Sequence, residues 1–169
     1  MRILELYSKI VSRLSKFWMY ISSAALLIMM LSTVLDGSLR YLFNLPIAGV
    51  IELNEVLIVV IIFLGLSWTQ IKGGHVSVEL FIKRLPRKHQ EIVMVMTLSL
   101  ALVIFAALTF ESSLAAYDAW ASGDFRQGAV RFALWPGKAT VALGTLTLCL
   151  QLIADILKGI VGIRSETVS

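Results

Sequence analysis

The chain has 169 residues, 58% of them hydrophobic and only 15% charged, with a mean hydropathy of +0.85. A soluble domain is about half apolar and a quarter charged, so this composition excludes an ordinary water-soluble fold and points to a membrane protein. The net charge of +4 would suit a nucleic-acid binder, but the excess lies in short segments beside apolar runs and reads as topology information.

In chain order, residues 1–16 come first. Ile3, Tyr7, Ile10 and Leu14 recur at helical spacing, while Arg2, Lys9, Arg13 and Lys16 fall elsewhere. The pattern predicts an amphipathic helix in the headgroup layer, with a plain extension of the first span as the competing reading. The first span is predicted over 17–43. No small-x-small site follows its apolar run, so it is read as uncleaved. A short turn carrying Asn44, Pro46 and Gly49 leads into a second span over 50–71. Gly73 and Gly74 then break the helix, and 76–88, with Phe81 opposite Lys83 and Arg84, predicts a second basic interfacial helix. The third span is predicted over 91–111.

Residues 112–135 read as a loop, with a short surface helix at 112–121 ahead of the turns at Gly123 and Gly128. This loop carries Tyr117, Trp120, Arg126, Arg131 and Trp135, more aromatics than anchoring two helix ends requires, and is expected to meet a partner. The fourth span, 137–158, opens behind Pro136, where the missing N–H costs little. The expected fold is therefore a single all-α integral membrane domain of four transmembrane helices, with interfacial helices at the N-terminus and between helices two and three. Nothing is left over for a soluble catalytic domain.

Of the 15 Lys and Arg, all but Arg40, Arg126, Arg131 and Lys138 fall in the N-terminal segment, the connection between spans two and three, or the C-terminus. The positive-inside rule thus places both termini in the cytoplasm. Neither a metal site nor a cofactor is expected. The single Cys149 permits no disulfide within the chain and no cysteine metal site, and His75 and His89 lie in one loop without acidic or cysteine partners at ligand spacing.

Four charges stand at the mouths of the first two spans. Asp36 and Arg40 are four apart on one helical face, an acid–base pair. Glu52 and Glu55 sit in the first turns of the second span, where the helix dipole favours negative charge. All four are expected at the outer interface as an ionic cluster around Arg40. It serves as a hairpin clasp, as a contact for a larger membrane subunit, or as an ion or substrate site. The last is disfavoured, because the middle of every span lacks an ionisable residue. Gln151 and Asp155 lie toward the cytoplasmic end of span four and supply no path. Small residues, among them Ala24, Ala25, Gly65, Ala106, Ala107, Ala142 and Gly144, are candidates for close helix packing.

Three stretches carry a family resemblance: RYLFNLPIAGVIELNEVLI at 40–58, FLGLSWTQIKGGHVSVELFIKRLP at 63–86, and LWPGKATVALG at 134–144. In order, length and topology the chain resembles the small membrane subunit of tripartite ATP-independent periplasmic (TRAP) transporters, the DctQ type. The resemblance implies a noncatalytic scaffold in the bacterial or archaeal inner membrane. Its partners would be a large elevator-type permease, at about one to one, and a periplasmic binding protein, in sodium-driven uptake of a small organic anion, a carboxylate or sulfonate. On the same resemblance Arg40, Glu52 and Glu55 match the family's arginine and acidic positions, and Gly65, Gly74 and His75 its glycine and GHV positions. The alternative, an independent four-helix exporter acting as a dimer, would need a carboxylate in mid-helix. A haem-bearing anchor would need histidines on facing spans.

Overall fold

The computed structural model describes residues 2–72, 87–126 and 131–167. They form four helices, α1 (Arg2–Phe43), α2 (Val50–Ile71), α3 (Arg87–Ser122) and α4 (Trp135–Thr167), with two-residue strands β1 (Phe125–Arg126) and β2 (Phe132–Ala133) between α3 and α4. The strands pair antiparallel, Phe125 opposite Ala133 and Arg126 opposite Phe132. Each helix contains a segment long and apolar enough to cross a membrane: Leu6–Phe43, Val50–Ile71, Ile92–Ser122 and Trp135–Gly159.

The helix α2 covers Val50–Ile71, and all three others run further than expected, α4 over Trp135–Thr167 where 137–158 was expected. Residues 1–16 and 17–43 were expected as separate segments, yet α1 is unbroken from Arg2. No glycine or proline interrupts it before Gly37, and its 42 residues extend about 63 Å, twice the thickness of the hydrocarbon layer. Similarly, α3 does not stop at Glu111. The stretch LAAYDAWA is rich in strong helix formers, and the hydroxyls of Ser113 and Ser122 bond back to the carbonyls of Thr109 and Asp118 at 2.7 and 2.6 Å. The helix ends only where Gly123 takes a positive φ of 65°. The connection expected at 112–135 therefore shrinks to 123–134.

The α1–α2 turn closes by backbone chemistry. Asn44 adopts a left-handed φ of 53°, and its N–H reaches the Arg40 carbonyl at 3.2 Å, a common way to end a helix. Gly49, at φ 93°, caps the start of α2 in a conformation open to glycine and strained for other residues.

The helix α4 is the centre of the assembly. It packs against α1, α2 and α3, and α1 also packs along α2, whereas α3 has α4 as its one extensive neighbour among the described elements. The most deeply buried side chains follow from this: Thr145, Leu148, Leu152 and Ala154 on α4, Ala119 on α3, Ser15 on α1 and Ser67 on α2. The closest approach is at Gly144, where an added Cβ would meet the backbone of Phe63 on α2.

Tyr7 and Ser22 are about 22 Å apart along α1, and their hydroxyls donate to the carbonyls of Leu150 at 3.0 Å and Ile61 at 2.8 Å. With Gly144 facing Phe63, those two carbonyls are separated by only about 12 Å along the α2–α4 pair. The N-terminal half of α1 therefore crosses its neighbours obliquely and passes over α4.

Within a bilayer, water does not drive helices together, so association depends on close packing and interhelical hydrogen bonds. Asn54 of α2 accepts from Ser32 at 2.9 Å and donates to Thr33 at 3.0 Å, joining α2 to α1. Thr109 of α3 donates to Thr145 of α4 at 2.9 Å. Of the small residues, Ala25 and Gly144 are buried in interfaces and Gly65 meets the Ser22 hydroxyl. Ala24, Ala106 and Ala107 face outward.

Candidate functional site

The four charges at the hairpin mouth divide into two groups. Asp36 organises the first. One carboxylate oxygen accepts from the Arg40 guanidinium at 2.9 Å, and the other accepts from the Ile47 N–H at 2.8 Å. A single side chain thus binds the last turn of α1 to the residues leading into α2. Arg40 stands mostly in the open, 57% exposed, while Asp36 is 13% exposed. Its place in the last turn of α1 also suits a cation at the negative end of the helix dipole.

Glu52 and Glu55 form the second group, with Glu52 buried. They line a cavity of about 220 Å³ between the first turns of α2 and α4, together with Lys138, Val56, Val59 and Val141. Neither Asp36 nor Arg40 belongs to that lining: Asp36 and Arg40 form a clasp at the end of α1, and Glu52 and Glu55 line the cavity beside α4. The sequence analysis counted Lys138 only as a topology charge. Which helix packs beside α2 decides that it faces the acids, and no local pattern encodes that choice.

The division changes the expected consequence of substitution. Asp36→Ala removes both the ion pair and the acceptor for Ile47, a loss of about 1–2 kcal/mol. Arg40→Ala removes one partner of an exposed pair, worth less than about 1 kcal/mol. Melting of the detergent-solubilised chain checks the order. A larger loss in Arg40→Ala than in Asp36→Ala would show that the arginine has a further role.

Tyr117 and Trp120, expected on a separate short surface helix, stand on the continuation of α3. Tyr117 and Trp120 lie exposed on the last turns of α3, their rings 6.3 Å apart and tilted by 47°. Trp135 opens α4 and is also exposed. Arg131 is exposed beside β2, and Arg126 forms part of β1. Gly74, His75, Phe81, Lys83 and Arg84, expected in the basic turn and interfacial helix, lie outside the described residues. Among the described residues no group of three or more His, Cys, Asp and Glu is placed to hold a metal.

Long apolar helices, charges confined to their ends and hydrogen-bonded helix contacts together define a multi-pass α-helical membrane protein. The family described as tripartite ATP-independent periplasmic transporters, DctQ component, matches residues 29–162. The chain belongs to this family and is the small membrane component of a three-part transporter, associated with a large permease and a periplasmic binding protein. No curated protein matches the chain.

Proposed function

We propose that the chain is the noncatalytic scaffold of its transporter: it holds the stationary part of a large elevator-type permease during sodium-driven uptake of a small organic anion. The cargo is a carboxylate or sulfonate handed over by the binding protein. The observation that carries this reading is the position of the charges. In the described spans the stretches 17–35, 56–71, 92–110 and 139–154 hold no Asp, Glu, Lys, Arg or His, so none lies in the middle of the bilayer to carry an ion or a substrate across. The apolar face of α3 turned away from α4, with Leu100, Val103, Ile104 and Phe110 exposed, supplies a flank for another membrane subunit. In an elevator mechanism one element stays fixed while another slides, and a rigid helical layer suits the fixed element.

Extraction of the tagged chain from native membranes in mild detergent, followed by mass spectrometry, tests the role. A large permease copurifying at one to one supports it. A lone homodimer that transports by itself overturns it in favour of the independent exporter.

The same proposal places both termini in the cytoplasm, the α1–α2 turn and the 123–134 connection in the periplasm, and the first turns of α1 and residues 76–88 at the inner membrane surface. Cys149 is buried, so introduced thiols report with little background. Tyr41→Cys, at a position 89% exposed, is expected to react with a membrane-impermeant maleimide in intact spheroplasts, and Lys9→Cys only after permeabilisation. The reverse pattern would invert the topology.

A further inference from the structure

At the end of the bundle away from the α1–α2 turn, α2 and α4 bring three polar side chains together. Gln70 Nε2 donates to Asp155 Oδ2 at 3.2 Å, and Gln151 Nε2 donates to Asp155 Oδ1 at 3.0 Å. Each carboxylate oxygen therefore holds one amide. The Oε1 atoms of both glutamines are sealed from solvent and accept no hydrogen bond. Gln151 is only 4% exposed, and since its nitrogen touches Asp155, its orphaned oxygen lies within about 5 Å of the carboxylate. Ser67 lies three residues before Gln70 on α2. It is 1% exposed, and its hydroxyl also lacks a partner.

This layer is rich in acceptors and poor in positive charge. Among the described residues Asp155 makes no ion pair, its contacts being the two amides. Buried polar atoms nearly always find partners, and unmatched ones mark the place of a water or an ion. A water molecule would satisfy the amide oxygens alone, beside a carboxylate that is half-buried and makes no ion pair among the described residues. A cation satisfies both.

We propose that Gln70, Gln151 and Asp155 bind a monovalent inorganic cation of the sodium or potassium class. An all-oxygen donor set suits a hard cation, and a single carboxylate matches a single positive charge, whereas calcium gathers several. The bound ion would fasten α2 to α4 at this end of the bundle.

The test uses the full chain purified without its transport partners, so that ion sites elsewhere do not contribute. Its melting is followed in sodium, potassium and choline chloride at equal ionic strength. A saturable rise in melting temperature with sodium or potassium over choline is expected, and Asp155→Asn, of nearly the same shape, abolishes it. Glu111→Gln, an exposed acid on α3, retains the rise. Equal melting of the unsubstituted chain in all three salts overturns the proposal and is the result for a layer filled by water. Persistence of the rise in Asp155→Asn overturns it as well.

Discussion

Gly144→Val is expected to abolish folding of the chain, and Gly144→Ala to weaken it severely. A Cβ at this position would lie 2.5 Å from the carbonyl carbon of Phe63 and closer still to its oxygen. The obstacle is backbone, which cannot rotate aside as a side chain can, so α2 and α4 would have to separate. Inserting one extra methyl into a packed core costs about 1–3 kcal/mol, and here the collision falls between the two helices that flank the buried layer of Leu148 and Leu152. The loss for alanine should lie at the top of that range, and for valine beyond it. Yield of monodisperse protein in detergent and its melting temperature are the measurements. Gly37→Ala and Gly137→Ala, where nothing lies within 4 Å, serve as controls and should behave as the unsubstituted chain. Wild-type melting of Gly144→Ala would mean that the two helices do not approach as described.

The second large effect is expected at Leu152. This side chain is 2% exposed, on the face where α4 is enclosed by its neighbours. Leu→Ala in a water-soluble core costs about 2–5 kcal/mol, the sum of lost transfer energy and a cavity. In a bilayer the separated helix already rests in an apolar solvent, so the transfer contribution largely vanishes and lost packing remains. About 1–3 kcal/mol is therefore expected for Leu152→Ala, measured on the isolated chain. Leu100→Ala, at a position 64% exposed on α3, should leave isolated-chain melting unchanged and, on the proposed role, reduce copurification with the permease. Equal losses at the two positions would contradict the packing described for α4.

The four spans were legible because mean hydropathy and length identify a crossing helix almost without reference to neighbours. The Asp36–Arg40 pair was legible for a similar reason, since four residues of helix bring two side chains together whatever surrounds them. The true length of α3 was not. Glu111 looked like the edge of the membrane and so like the end of a helix, but a helix stops where backbone geometry or composition stops it, and here that is Gly123. Equally hidden was the cavity that Glu52 and Glu55 share with Lys138. Their spacing places them in the first turns of α2, but which neighbour they meet depends on α4 and Lys138, some eighty residues later. Among the small residues, sequence could not tell Gly144, pressed against Phe63, from Ala106, which faces outward. Asn54, flanked by two glutamates, drew no notice as a polar link to Ser32 and Thr33.

The central place of α4 has a consequence for the order in which the molecule is built. It leaves the ribosome after α1, α2 and α3, yet it is the main support for α3. Until α4 enters the bilayer, α1 and α2 can pair as a hairpin, held by Asn54 and Ser22, while α3 waits among lipids as a single unsupported span. Completion of α4 is thus the step that turns a hairpin and a stray span into one body. A chain stopped before Trp135 would present quality-control proteases with a lone membrane helix and nothing to hold it.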